Sequence, residues 1–395
     1  MLDQLWLLPE GIEELLPSES HRLEWLRRGV LDTCFCHGYD LVSPPLIEHL
    51  QSLLTGGGED LDVETFKLID YASGQQLGIR ADMTPQIARI DSHFLKSEGT
   101  SRFCYAGPVL RARPRQAFEA RELFQFGAEL FGSAQPEADA EIVELMMECL
   151  ALCGLDSVHV DIGHVGIFRA LSAAANFNAQ QESQLFDALQ RKSIPDLQQL
   201  LQNVNIDQQL ADALISLPRM QGEVEVLEET LLPLYKFGDD VRKAGENLCS
   251  VIQSIRSRVP DLKMYFDLSE LRGYHYHTGL VFSAFVAGLG REIARGGRYD
   301  FIGSVFGRAR PATGFSLDLR QVLKIVPDSH SSEGCILAPL TSDDSSLNQK
   351  IDHLRRSGER VVRQLDGSGK PDKVCCNRQL VSESGAWVVQ LLEEH

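Results

Sequence analysis

Two stretches concentrate the side chains that could do chemistry. LRGYHYHTGLVF, residues 271–282, packs Arg272, Tyr274, His275, Tyr276, His277 and Thr278 together ahead of an apolar run. ARGGRYDFIGSVFG, residues 294–307, sets Gly296 and Gly297 among Arg295, Arg298 and Tyr299. His275 and His277 stand two apart, which on a strand turns both rings to one face, a geometry a metal site could use. No further ligands are advertised nearby, and the same spacing serves solvated or core histidines. The paired glycines either let a backbone approach a ligand closely or form a tight turn between strands.

Polar groups recur elsewhere in apolar settings. Asp82 and Thr84 in IRADMTPQIAR sit where a helix begins. They read as a helix N-terminus, or as a carboxylate and hydroxyl facing an ammonium group. In ELFQFGAELFG, Gln125 and Glu129 differ by four and on a strand share a face with Leu123 and Gly127. Burying either unpaired would cost about 2–7 kcal/mol, so they pair internally or meet a polar ligand. Arg111 and Arg113 lie just upstream in GPVLRARP.

The elements that must position these groups follow from periodicity. SESHRLEWLRRGVLDTCFCHG carries Leu23, Leu26, Val30 and Leu31 on one helical stripe and ends at Gly38. SRFCYAGPVLRARP and ELFQFGAELFG read as strands of a long hairpin, with a charged loop between them. ADAEIVELMMECLAL reads as a helix and VHVDIGH as a strand. From about 168 to 258 the chain is rich in Leu, Gln, Ala and Glu at helical spacing, which predicts a helical insertion. KMYFDLSE, LVFSAFVA and REIARGG return to strands, and GFSLDLRQVLKIV is expected as a helix. The fold class is therefore α+β, with an antiparallel sheet flanked by helices. The expected division is a core over 1–325, a polar linker at 326–333 and a small C-terminal α/β domain over 334–395.

Composition narrows the function classes. The chain has 395 residues and a net charge of -18. Gripping a nucleic acid normally needs a basic face, so this balance argues against it. The nine cysteines include no C-x-x-C pair, which removes zinc ribbons and thioredoxin-type motifs and leaves reduced thiols as the expectation. MLDQLWLLPEGIEELLP lacks a basic leader and cleavage box, and no run of 18 apolar residues occurs. No G-x-G-x-x-G or P-loop motif is present.

Taken together, the motifs resemble the catalytic core of histidyl-tRNA synthetase, a class II synthetase. GYDLVSPPLIE resembles its first motif, GPVLRARP with FQFGAELFG its second, and GFSLDLRQVL its third. LRGYHYHTGLVF and RGGRYD resemble its two histidine-recognition motifs. The resemblance implies a histidine pocket. Asp82 (a glutamate in the family), Thr84 and Gln125 would hold the α-ammonium. Glu129 would accept the imidazole N–H, and Arg272 would face the carboxylate. Tyr276 and His277 fall on a tyrosine pair that closes over the ring, and Tyr299 lines the same pocket. Arg111 and Arg121 match arginines of the second motif.

Departures fall on the ATP side. Gln321 stands where the third motif ends in arginine, and Arg320 is one residue out of register, about 100° away on a helix. Glu119 replaces another ATP-facing arginine, and the tail beyond Gly334 is too short for the synthetase's anticodon-binding domain. These departures, with WLLPEGIEELLP, RADMTPQIAR and RGYHYHTGLVF, resemble the regulatory-subunit family of ATP phosphoribosyltransferase. That resemblance implies a cytoplasmic, non-catalytic protein without cofactor or metal, binding neither nucleic acid nor membrane. Its partner would be the short-form catalytic subunit, in a hetero-octamer in which this chain dimerises through its synthetase-like core, with histidine as effector. The alternative is ATP-dependent histidine activation, as in the synthetase.

Overall fold

The computed structural model describes residues 6–392 except 57, 115–118, 272, 275, 327–333, 341–343 and 366–375; at 58–60 it describes the backbone alone. The chain forms two units, Met1–Pro327 and Asp328–His395.

In the first unit the strands in chain order are β1 (Asp40–Leu41), β2 (Ile47–His49), β3 (Phe66–Ile69), β4 (Gln76–Ile79), β5 (Ser101–Leu110) and β6 (Glu122–Phe131). They continue as β7 (Val158–His164), β8 (Gln221–Glu223), β9 (Lys263–Asp267), β10 (Leu280–Val286), β11 (Ala294–Arg298) and β12 (Ala312–Asp318). Among the described residues, nine of them make one sheet in the order β1-β5-β6-β12-β11-β10-β7-β9-β8, and β2-β4-β3 form a small sheet apart. The large sheet is mixed, not purely antiparallel: β1 runs parallel to β5, and β7 parallel to β9. The GFSLD half of GFSLDLRQVLKIV belongs to β12, and only Leu319–Ile325 is helical. Asp318 separates the two, its carboxylate accepting the Arg320 N–H as an N-cap.

The two faces of the sheet have different tasks. On one, Phe126, Ala128 and Leu130 of β6 and Phe315 and Leu317 of β12 join a core with the Pro136–Leu152 and Pro17–Cys36 helices. The Pro17–Cys36 helix meets it through Leu26, Val30 and Cys34, four residues apart, and the chain turns away at Gly38 with φ 78°. Each such fully buried large side chain contributes about 1.5–3 kcal/mol. Between β7 and β9 the chain runs through helices from Val165–Ala174 to Asp239–Arg258. The last buries Val241, Leu248, Val251, Ile252 and Ile255 on one stripe. The other face of the sheet is covered by the short Thr84–Arg89 helix, whose Ile87 and Ala88 pack with Tyr105, Leu123 and Tyr299.

The second unit has four strands, β13 (Cys335–Ala338), β14 (Val361–Arg363), β15 (Cys376–Glu383) and β16 (Ala386–Leu391), in the order β14-β13-β15-β16. The Ser345–Arg356 helix seats Leu347 and Ile351 on them beside Ile336 and Leu380. The expectation of reduced thiols fails here: Cys335 and Cys376 form a disulfide. They are 41 residues apart in sequence yet oppose each other across β13 and β15, which spacing alone could not reveal. Cys34, Cys104, Cys149 and Cys153 are free and buried. Among the described residues, no helix is long and apolar enough to cross a membrane.

Candidate functional site

Strand register assembles the site. Directly paired residues of an antiparallel sheet put their side chains on the same face. One row across the sheet therefore reads Phe103, Glu129, Gly314, Gly297, and the next reads Tyr105, Gly127, Ser316, Arg295. A third reads Gly107, Gln125, Asp318. Glycines beside Glu129 and Tyr105 leave room that side chains would fill. A Cβ on Gly127 would fall 2.4 Å from the Tyr105 hydroxyl, and one on Gly314 would fall 1.6 Å from Glu129 Oε2.

Glu129 is the centre of a buried knot. Its Oε1 accepts hydrogen bonds from Thr84 Oγ1 at 3.0 Å and from the Tyr105 hydroxyl at 2.9 Å, and its Oε2 accepts one from the Tyr299 hydroxyl. The Tyr105 and Thr84 oxygens also lie 3.1 Å apart. Burial pushes the Glu129 carboxyl up to about 8, against the opposing pull of the three hydroxyl donors. Once ionised, a carboxylate has about four acceptor sites, so three donors leave one for a ligand N–H.

The same face of the sheet carries a polar cavity, to whose lining none of the knot residues contributes. Asp82, Arg111, Gln125, Arg295 and Ser316 line it, together with Glu119 and Gln321. Gln125 is fixed at both ends, accepting the Met83 N–H at 2.9 Å and donating to Asp82 Oδ1 at 2.9 Å. Asp82 Oδ1 also accepts the Thr84 N–H at 3.0 Å. Asp82 thus satisfies the first N–H of the helix and also borders the cavity.

The aromatic wall comes from the 271–282 stretch. His277 is buried, its Nδ1 lies 3.2 Å from the Arg298 carbonyl, and burial pushes it down to about 3. The neutral ring therefore donates through Nδ1–H and keeps Nε2 as an acceptor. Tyr276 lies over it at 4.2 Å between ring centroids, and Tyr299 is 6.4 Å beyond. Arg272 and His275 lie outside the described residues, so the arginine expected at the carboxylate and one half of the histidine pair have no structural account here. Among the described residues no cluster of His, Cys, Asp and Glu has the make-up of a metal site.

Of the residues expected in the pocket, Asp82, Arg111 and Gln125 border the cavity, Thr84, Glu129 and Tyr299 form the knot, and Tyr276 and His277 make the wall. Arg111 is already engaged, pairing with Glu119 at 3.5 Å and Glu64 at 3.8 Å. Tyr105 was not anticipated. Its signal was present in the alternation of SRFCYAGP, which puts Phe103, Tyr105 and Gly107 on one face opposite Glu129, Gly127 and Gln125.

Arg121 and Arg320, which fall at or beside the positions where the resemblance implies ATP-facing arginines, make their contacts within the fold. Arg121 donates to the Arg111 carbonyl at 3.1 Å and lies over the Phe66 ring. Arg320 donates to the Glu13 carbonyl and pairs with Glu122 at 3.1 Å. Glu119 faces the cavity and binds Arg291 at 3.3 Å. Gln321 donates to the Glu292 carbonyl at 3.1 Å.

The pH dependence of stability should expose the knot. Folding raises the Glu129 carboxyl from its ordinary 4.5 to about 8. Its contribution to stability is therefore complete below about 4.5 and is lost as pH rises toward 8. Compared with Glu129→Gln, the wild-type protein should lose up to about 1.4 kcal/mol per pH unit across that window and run parallel to the variant above it. Buried His164 and His277 are held below their ordinary 6.5, so they cost stability as pH falls beneath it. They act alike in both proteins, so the difference between urea unfolding curves taken from pH 5 to 9 isolates Glu129.

Residues 11–322 match the histidyl-tRNA synthetase family, and residues 333–390 match the C-terminal domain of the ATP phosphoribosyltransferase subunit HisZ. The ATP phosphoribosyltransferase regulatory subunit of Stutzerimonas stutzeri is 48% identical over 387 residues, 97% of each chain. A Bacillus halodurans C crystal structure, described as an ATP phosphoribosyltransferase regulatory subunit/histidyl-tRNA synthetase, is 27% identical. It superposes with a TM-score of 0.80 over 93% of this chain and 94% of that one. Histidyl-tRNA synthetase from Nostoc sp. PCC 7120, 18% identical, shares the fold with a TM-score of 0.77 over 98% of this chain and 97% of its own. On this evidence the chain belongs to the family of ATP phosphoribosyltransferase regulatory subunits, built on a class II synthetase-like core.

Proposed function

We propose that this chain is the non-catalytic regulatory subunit of an ATP phosphoribosyltransferase in histidine biosynthesis. Its partner is the short-form catalytic subunit, which it activates within a cytoplasmic hetero-octamer, and it dimerises there through its synthetase-like core. Histidine, the end product, binds the pocket formed by Asp82, Gln125, Glu129 and the aromatic wall. A ligand that prefers one arrangement of a complex shifts its population, with couplings typically of about 1–3 kcal/mol.

One observation carries this reading: the amino-acid side of the site is built while the polyphosphate side is not. Thr84, Tyr105 and Tyr299 hold Glu129 in place, whereas Arg121 and Arg320 are tied to backbone carbonyls away from the cavity. Glu119 and Gln321 stand in the cavity lining, and Glu119 engages Arg111 and Arg291, the guanidinium groups that would otherwise face a triphosphate.

The test is co-expression with a short ATP phosphoribosyltransferase. The chain is expected to co-purify with it, raise its activity and confer inhibition by histidine. Isothermal calorimetry above pH 8, where Glu129 is ionised, should detect histidine binding that weakens by about 10- to 100-fold in Glu129→Gln, since one charge-assisted hydrogen bond is lost. The synthetase alternative requires histidine-dependent exchange of pyrophosphate into ATP, and the expected result is none.

A further inference from the structure

The turn that carries the aromatic wall also reaches into the helical insertion. Gly273 adopts φ 71°, and its carbonyl accepts the Tyr276 N–H at 3.0 Å and the His277 N–H at 2.8 Å. A Cβ at Gly273 would fall 2.4 Å from His277 Cδ2, so this tight turn needs glycine. From the turn Tyr276 and His277 join the wall, and the His277 ring lies 6.4 Å from Tyr299, which donates to Glu129. Tyr274, two and three residues before them, is buried among the helices instead.

Four side chains from two helices hold Tyr274 there. Its hydroxyl donates to Glu182 Oε1 on the Ala179–Gln190 helix. Its ring stacks on Phe186 of the same helix at 5.0 Å and meets Phe168 of the Val165–Ala174 helix edge-on at 5.3 Å. Arg169 lies 4.7 Å over that ring and donates from Nη2 to the Tyr274 carbonyl at 2.6 Å. Both hydrogen bonds have a charged partner, the stronger class of such bonds. A continuous line of contacts thus runs from the two helices through Tyr274 and His277 to Tyr299 and Glu129.

We propose that Tyr274 is a positioning residue that latches the aromatic wall to the helical insertion, so that pocket occupancy and the insertion's order bias each other. This inference rests on the histidine-pocket reading and adds the route by which occupancy leaves the site. A ligand that orders the wall orders the turn, and through Tyr274 it orders the two helices. Such coupling is reciprocal, so loosening the helices must weaken the ligand.

The experiment is hydrogen–deuterium exchange of the full chain with and without L-histidine, on wild-type protein, Tyr274→Phe, Arg169→Met and the double variant. Tyr274→Phe keeps the ring in its packing, so that variant stays folded. In wild-type protein histidine is expected to slow exchange in 271–278 and also in 165–190, none of whose residues belongs to the pocket. Each single variant should lose part of the 165–190 response and the double variant all of it, while the 271–278 response persists. Calorimetry should show histidine weakened by about 2- to 10-fold in each single variant, the net worth of one hydrogen bond. If Tyr274 serves only stability, the variants exchange faster in 165–190 with and without histidine alike, and the histidine response there stays intact. That result overturns the latch and leaves the pocket standing, as does a wild-type response confined to 271–278. If wild-type protein binds no histidine, both are overturned.

Discussion

Replacing Arg298 with alanine is expected to lower the unfolding free energy of the first unit by about 3–5 kcal/mol, the range for breaking one end of a buried ion pair. Arg298 donates from Nε and Nη2 to Asp139 Oδ2 at 3.1 and 3.0 Å, and from Nη1 to the Ser133 carbonyl at 3.0 Å and Asp300 Oδ1 at 3.2 Å. Asp139, on the Pro136–Leu152 helix, is 1% exposed, so the variant strands a carboxylate in the core. Asp300 meanwhile accepts from the Ala312 N–H and from Thr278 Oγ1, so Arg298 also steadies the start of β12. The measurement is urea unfolding, with a lower midpoint at unchanged slope. The pair Arg298→Met with Asp139→Leu should recover most of the loss, because an apolar replacement of similar volume removes both charges together. A double variant no better than Arg298→Ala would mean that the Ser133 and Asp300 contacts carry the effect.

This outcome bears on what could be read from sequence. ARGGRYD offers three charged side chains beside two glycines, and composition does not say which face the cavity. Alternation along β11 sorts Arg295 to the cavity face and Arg298 to the helix face, but only once the register with β12 is known. The period-two pairing of Gln125 with Glu129 was legible because both lie on one strand, and the Asp82–Thr84 helix start was legible for the same local reason. Tyr105, the glycine hollow and the Cys335–Cys376 disulfide depend on neighbours from other strands, which no local pattern encodes. Arg111 borders the cavity, and its engagement by Glu64 and Glu119 required the fold. The strand half of GFSLDLRQVLKIV was missed because a fully buried strand and a buried helix segment look alike in hydrophobicity.

The hollow itself gives the second large effect. Gly314→Ala is expected to destabilise the first unit by several kcal/mol and to abolish histidine binding. The new Cβ would lie 1.6 Å from Glu129 Oε2 and 2.7 Å from the Ala128 carbonyl oxygen. Backbone cannot yield without opening the β6–β12 pairing that joins Gly314 to Glu129. The carboxylate must therefore swing, which breaks its bond from Tyr299 and leaves a buried acid and a buried hydroxyl short of partners. Overpacking costs about 1–3 kcal/mol, and each buried polar group left unsatisfied adds about 1–3 kcal/mol. Because the clash and the lost bonds share one side chain, the effects of changing both residues should not add. Glu129→Ala in the Gly314→Ala background removes the obstructing carboxylate, so the double variant should be more stable than the sum of the single changes implies. Histidine binding should stay absent in it, since the acceptor for the imidazole is gone. Recovery of stability without recovery of binding is the signature expected if Gly314 exists to make room for Glu129. A strictly additive pair would show instead that Gly314 matters only to the strand backbone.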